Sequence, residues 1–348
     1  MRRLAAFIAA LVLAAAAPVA SAAAEPITDS AGRTVEIPPD PGRVFAAGPP
    51  AAILLYVLKP EAMLGWPRAL RPDEAPYIAA PYRALPETGR LTGRGGEANL
   101  ERMLSLDPDL ILDFGSVRDT YISLAERVQA QTGIPYILIN GRFEETPAAL
   151  RLLGRALDRE ARGERLASYT EALFGKLDAT LADIPEAARP RVYLARGPDG
   201  LETGLKGSIN TEIIERAGGR NVADPGDGRR GIVRASMEQV IVADPDTIIT
   251  WDPIFFERVW TDPLWAQIEA VRRGRVYLAP TAPFGWIDRP PSLNRLMGLR
   301  WLAGLFYPER WDEDLRAETK RFYELFYQVT LDEAALDQLL AQAKGGRP

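Results

Sequence analysis

Short apolar runs alternate along this chain with stretches in which apolar residues recur every three or four positions. The runs predict buried strands, and the recurring spacing predicts helices. In the first half, strands fall at 43–47, 62–65, 109–113 and 135–139, and helices at 51–58, 100–105 and 120–132. Residues 66–90 read as irregular and rich in Pro and Tyr, and 91–96 as a Gly-rich loop. The alternation resumes after residue 190. Strands are expected at 191–196, 201–204, 246–250 and 276–279, and helices at 210–217, 237–243 and 290–306. Residues 224–233 read as a flexible loop. Two more helices precede a Gly-Gly-Arg-Pro tail expected to be disordered. Such alternation is the signature of mostly parallel sheets covered on both faces.

Between the halves, residues 146–184 keep one helical stripe through Leu150, Leu153, Leu157, Leu166, Leu173, Leu177 and Leu181. Thr146 and Pro147 suit a helix start, and Pro185 ends the pattern. One helix of about 37 residues would be roughly 55 Å long. That is more than one ordinary domain needs, so it reads as a link between two lobes. Gly154, Gly163 and Gly175 argue against a sustained coiled coil.

The halves also share a motif. Asn99-Leu-Glu101 leads through a short helix to Asp107-Pro-Asp-Leu-Ile, and Ser236-Met-Glu238 leads in the same way to Asp244-Pro-Asp-Thr-Ile. The fold class is therefore α/β: two similar Rossmann-like lobes with mostly parallel sheets, joined by one long helix. The expected divisions are a leader at 1–22, a first lobe at 23–145, the link at 146–184 and a second lobe at 185–348.

Composition removes whole classes of chemistry. The chain has 348 residues, no His and no Cys, and a net charge of −5. Imidazole or thiolate metal sites, Ser–His–Asp and Cys–His catalysis and a His-ligated haem are excluded. No metal is expected to be held directly, no cofactor is expected, and the charge gives no general attraction to nucleic acid. Arg2 and Arg3, the apolar stretch 4–19 and Ala20-Ser21-Ala22 have the form of a cleaved signal peptide. With no Cys after it there is no lipid attachment site, so a periplasmic location is expected.

Ligands of open α/β sheets bind beyond the carboxyl ends of the strands. Pro49, Thr92, Arg94, Gly95, Arg196, Trp251, Trp286, Arg289, Tyr77 and Tyr82 are the candidates there. They offer guanidinium groups and helix N-termini for an anion, and aromatic faces for an organic surface. Each also has a structural reading: a turn, an internal ion pair or lobe packing. Glu97, Asp252 and Asp288 stand at no spacing diagnostic of acid–base catalysis, so no catalytic residue is assigned.

Together these features resemble the periplasmic substrate-binding proteins of ABC importers for iron–siderophore complexes, cobalamin and related metal chelates. The resemblance is carried by residues 27–37 (ITDSAGRTVEI), the two repeated motifs, the linking helix and Gly218-Gly219-Arg-Asn-Val. It implies a helical backbone between two lobes, a shallow cleft and small opening. It also implies docking through one acidic side chain per lobe, here Glu101 and Glu238, on the Arg residues of a permease dimer driven by a cytoplasmic ATPase. The expected function is capture by a monomer of an anionic metal chelate, foremost a ferric siderophore, without turnover. Residues 284–292 and the Arg-bearing loops depart toward smaller anionic cargo, which keeps molybdate- or tungstate-type oxoanions open. The same scaffold could also carry a periplasmic hydrolase or a signalling module, readings that the cleft loops support less well.

Overall fold

A computed structural model describes residues 25–93 and 100–346. The leader, Arg94, Gly95, Glu97 and Asn99 lie outside the described residues. Strands β1 (Glu25–Thr28) and β2 (Thr34–Ile37) form an antiparallel hairpin. The Asp29 carboxylate closes its turn by accepting from the N–H groups of Ala31 and Arg33 at 2.9 and 3.0 Å. The Arg33 guanidinium donates to Tyr136 O at 2.7 Å and pins the hairpin to the neighbouring sheet.

That sheet comprises β3 (Val44–Ala46), β4 (Leu110–Gly115) and β5 (Tyr136–Asn140), all parallel, with β4 in the middle. Helices α1 (Pro49–Leu58), α2 (Leu100–Ser105) and α3 (Asp119–Thr132) connect and cover it. All residues of α1 from Ala51 onward are buried, so it is a central core helix without a solvent face.

The expected single rod is two helices. α4 (Thr146–Ala156) and α5 (Glu160–Leu181) fold back on each other around residues 157–159. Asp158 takes a left-handed conformation, φ 56°, which Asp tolerates better than most side chains. A Cβ at Gly163 would lie 2.6 Å from Leu150 O and 3.0 Å from the Gly154 Cα, so two glycines form the crossing. Arg151 bridges from α4 to Glu164 and Glu171 on α5. The helix that runs on toward the second half is α5, with 22 residues, about 33 Å long.

The second half begins with β6 (Arg191–Ala195), β7 (Glu202–Gly204), α6 (Glu212–Arg216), β8 (Arg220–Asn221) and β9 (Ile232–Arg234). It continues with α7 (Met237–Ala243), β10 (Thr247–Thr250), α8 (Pro253–Arg258), α9 (Glu269–Arg272) and β11 (Val276–Leu278). α10 (Arg295–Phe306), α11 (Leu315–Phe322), a π-helical turn (Tyr323–Tyr327) and α12 (Glu333–Leu340) follow. The sheet order is β12-β11-β10-β6-β8, parallel except for β12 (Lys344–Gly345). Gly345, in the tail expected to be disordered, thus pairs with Tyr277 at a sheet edge. The helix expected from residue 290 starts only at Arg295, because Arg289 sits at φ 68° and residues 288–292 are irregular.

The repeated motif has the same structure in both halves. Asp107 and Asp244 close their helices at φ 48° and 32°. The Asp109 carboxylate accepts from Arg43 N, and the Asp246 carboxylate from Arg191 N, each at 3.0 Å. Arg43 caps the Leu106 carbonyl as Arg191 caps that of Ala243. The order β3-β4-β5 recurs as β6-β10-β11. The halves are not packed separately, however. Tyr56 of α1 donates to Tyr327 O at 2.6 Å and Tyr77 to Ala335 O at 3.1 Å, so the C-terminal helices reach back over the first half.

Candidate functional site

Loops at the carboxyl ends of the parallel strands meet between the halves. Ser292 Oγ donates to Pro50 O at 3.4 Å, and the Arg142 guanidinium lies 3.2 Å from the Glu212 carboxylate. On the first half, β3 runs through Ala47 and Gly48 into α1. A Cβ at Gly48 would come within 2.8 Å of Thr92 Oγ1, so only glycine lets the 91–93 loop approach. Leu91 N and Thr92 N both donate to Ala47 O, at 2.7 and 2.9 Å. No side chain caps α1, and Pro49 and Pro50 stand half-buried at its positive end. Thr92 donates its hydroxyl to Asp113 at 3.1 Å, so it anchors the loop before it can serve a ligand. The other Asp113 oxygen accepts from Tyr136 OH at 3.1 Å. Burial pushes this carboxyl above its ordinary pKa, and both hydroxyls counter that rise.

On the second half, Arg196 follows β6 and lies over the Trp251 ring at 5.0 Å. Its guanidinium is 2.8 Å from Glu202 and 3.4 Å from Asp288, so its charge is already engaged by two carboxylates. Asp288 is buried and also accepts from Asn210 Nδ2 at 3.0 Å and from Arg289 N at 2.8 Å. Burial raises its pKa, against the pull of Arg196 and Asn210. Arg289 is exposed, and its side chain has no hydrogen bond or ion pair among the described residues.

Three of the four aromatic candidates are taken up by packing. Trp286 is fully buried, with its carbonyl packed against Gly298 of α10, where a Cβ would come within 1.9 Å. Tyr77 is equally buried and bonded to Ala335. Trp251 is 5% exposed beneath Arg196. Tyr82 is half-buried, edge-on to Tyr56 at 5.9 Å, and its carbonyl holds Trp66 Nε1. Sequence reasoning missed Asn210 and Arg142. Asn210 lies in a segment read as plain helix, and Arg142 just past a strand that ends in Asn140.

A cavity of about 510 Å³ lies to one side, lined by Phe143, Leu181 and the side chains of α6. Its three arginines face four carboxylates, Glu144, Asp178, Glu212 and Glu215, so it has no net pull on an anion. Among the described residues no cluster of acidic side chains is arranged to hold a metal, and no helix is long and apolar enough to cross a membrane. Glu101 and Glu238 are exposed on the equivalent helices α2 and α7. A hydrogen bond from its own N–H and another from the Ser236 hydroxyl hold Glu238 below the usual carboxylate range.

Two similar α/β units linked by a helix, with their strand-end loops meeting between them, define a two-lobed architecture of the kind that holds a ligand between its halves. The chain belongs to the periplasmic binding protein family, which matches residues 62–283. It is similar to the molybdate-binding protein MolA of Haemophilus influenzae, 26% identical over 71% of this chain and 76% of that protein. A cobalamin-binding protein of Halobacterium salinarum is 28% identical over 65% of this chain, which spans 58% of that relative. A solved ABC transporter solute binding protein from Sulfurospirillum deleyianum superposes with a TM-score of 0.81 at 29% identity, over 91% of this chain and 99% of its own. The protein is thus a solute-binding component of an ABC importer.

Proposed function

We propose that the protein captures a compact oxoanion of the molybdate or tungstate type between its lobes. It then delivers this cargo to an ABC permease dimer coupled to a cytoplasmic ATPase. One observation carries this reading. Three of the four aromatic side chains that could serve a ferric siderophore as platforms, Trp286, Tyr77 and Trp251, are buried, while the Arg289 guanidinium stays open and unpaired among the described residues. A small anion needs charge and N–H donors and little apolar area. Arg289 supplies charge from the second half, and the positive end of α1 contributes its dipole from the first, where Pro49 and Pro50 leave few N–H groups. The similarity to a molybdate-binding protein supports the same choice. Residues 1–22 direct export and are removed, and the mature protein works as a monomer in the periplasm. Docking uses Glu101 and Glu238. Without converging carboxylates among the described residues, the role is capture and hand-over, not turnover.

Calorimetric titration of the mature protein tests the cargo, with molybdate, tungstate, sulfate, ferric citrate, a ferric hydroxamate and cobalamin as probes. Sub-micromolar binding of molybdate or tungstate, lost in Arg289→Ala, is the expected result. Tight binding of a ferric chelate or cobalamin alone would overturn the oxoanion reading and restore the chelate. Mass spectrometry of the secreted protein checks for a start at Ala23.

A further inference from the structure

Arg295, at the first position of α10, is 1% exposed, and its guanidinium makes four hydrogen bonds. One goes to Gly141 O at 2.8 Å, in the first half just beyond β5. Two go to carbonyls of the second half, Ile209 at 3.1 Å and Ser292 at 3.2 Å. The fourth is an ion pair with Glu212 at 2.9 Å. The same Glu212 oxygen accepts from Phe143 N at 2.6 Å, and the Phe143 ring lies under the guanidinium at 4.9 Å. The outer Glu212 oxygen faces Arg142 at 3.2 Å.

Each loop held by this knot carries part of the cleft. Residue 209 precedes Asn210, which holds Asp288. Ser292 reaches Pro50 at the start of α1 and lies three residues after Arg289. Gly141 N donates to Gly115 O at the end of β4. A Cβ at Gly141 would meet the Gly115 Cα at 2.8 Å, so this loop has little room to move.

We infer that the Arg295–Glu212 pair is a positioning device that locks the spacing of the two lobes, so that the cleft is assembled before ligand arrives. Apolar contacts between lobes are non-directional and permit sliding. A planar guanidinium with four fixed acceptors does not. A buried ion pair contributes little net stability compared with an apolar replacement, so its effect is sought in geometry. Restricted opening then comes from this knot and not from the stiffness of the linking helix alone. The inference does not depend on which ligand is bound.

The test uses the absence of native cysteine. Leu104→Cys and Val242→Cys, on α2 and α7, are 46% and 85% exposed and accept spin labels, one per half. Pulsed electron–electron double resonance should give one narrow distance distribution in the ligand-free protein. Adding Glu212→Gln with Arg295→Met removes both charges and keeps an acceptor for Phe143 N. This variant should broaden the distribution, with a population at longer distance. Leu138→Ala, a core truncation in the first half, should lower Tm without broadening. If the double substitution does not fold, Arg295→Lys is read in the same way, since an ammonium cannot reach all four acceptors together. A narrow, unshifted distribution in whichever of the two folds would overturn the inference, as would equal broadening in Leu138→Ala.

Discussion

The crossing of α4 and α5 makes a paired prediction in which one substitution, at two places on the same helix, has opposite signs. Gly175 of α5 is exposed, and a Cβ there would meet nothing within 4 Å. Gly163 lies in the crossing, where a Cβ would sit 2.6 Å from Leu150 O. Replacing glycine by alanine inside a helix is worth about 1 kcal/mol from backbone entropy. Gly175→Ala should therefore stabilise by about 0.5–1 kcal/mol. Gly163→Ala gains the same amount but forces two backbones apart, and overpacking of this kind costs about 1–3 kcal/mol. Backbone atoms cannot rotate aside as a side-chain tip can, so the clash wins. The two variants should differ by about 1–3 kcal/mol, or roughly 2–10 °C in melting temperature. Thermal and urea unfolding of both proteins beside the parent measures the difference. Equal stabilisation by both alanines would refute the close crossing and with it the hairpin of α4 and α5.

Other outcomes follow from the site and the surface. Arg289→Ala should weaken oxoanion binding by about 10- to 100-fold, the worth of a charge-assisted hydrogen bond, and leave the melting temperature unchanged; calorimetry with a parallel melt checks both. Glu101→Arg with Glu238→Arg should abolish uptake in a reconstituted importer while ligand affinity stays the same; retained uptake would remove the docking role from both residues. Arg151 holds Glu164 down to about 2 from 4.5 and also lowers Glu171. A depressed carboxyl pKa gives stability that is present above the unfolded value and is lost as pH falls through the folded one. The gap in melting temperature between the parent and Arg151→Ala should therefore close between pH 5 and 2, and a gap that stays constant would contradict the bridge.

Most strands, the repeated motif and the α/β class were legible because they depend on local spacing; residues 62–65, read as a strand, make only a single bridge at Met63 after a 3-10 turn, and β9 begins in a segment read as a loop. Asp107-Pro-Asp and Asp244-Pro-Asp mark where each helix ends and a strand begins, while the shared left-handed turn and the Arg cap emerge only in the fold. The helical link was half legible: its stripe is continuous in sequence, but Gly154 and Gly163 read as interruptions when they are the place where two helices touch. The cleft was harder because burial is a tertiary property. Trp286 stands in a loop with Arg289 and looks open, yet Gly298 of α10 draws its backbone inward. Arg196 looks like a free cation until Asp288, 92 positions later, is folded beside it. Arg295 carries no local signal, since Glu212 lies 83 residues away along the chain.

The reach of the C-terminal helices over α1 bears on how the chain matures. Tyr56 and Tyr77, near the start, find their partners in Tyr327 and Ala335, near the end. Arg162 likewise donates to Val57 O in the first half and to Leu325 O in the last turn of the core. As a chain emerges from its N-terminus onward, the first sheet forms before the surface that must cover it has been made. Contacts so distant in sequence also close slowly, because the loop entropy is lost before they reward it. The N-terminal half is thus an unfinished product until the last residues emerge, with an apolar helix awaiting its cover. A chain truncated before residue 323 should expose that helix and become a client for holding chaperones. Completion of the last few dozen residues is then the event that commits the molecule to its native form.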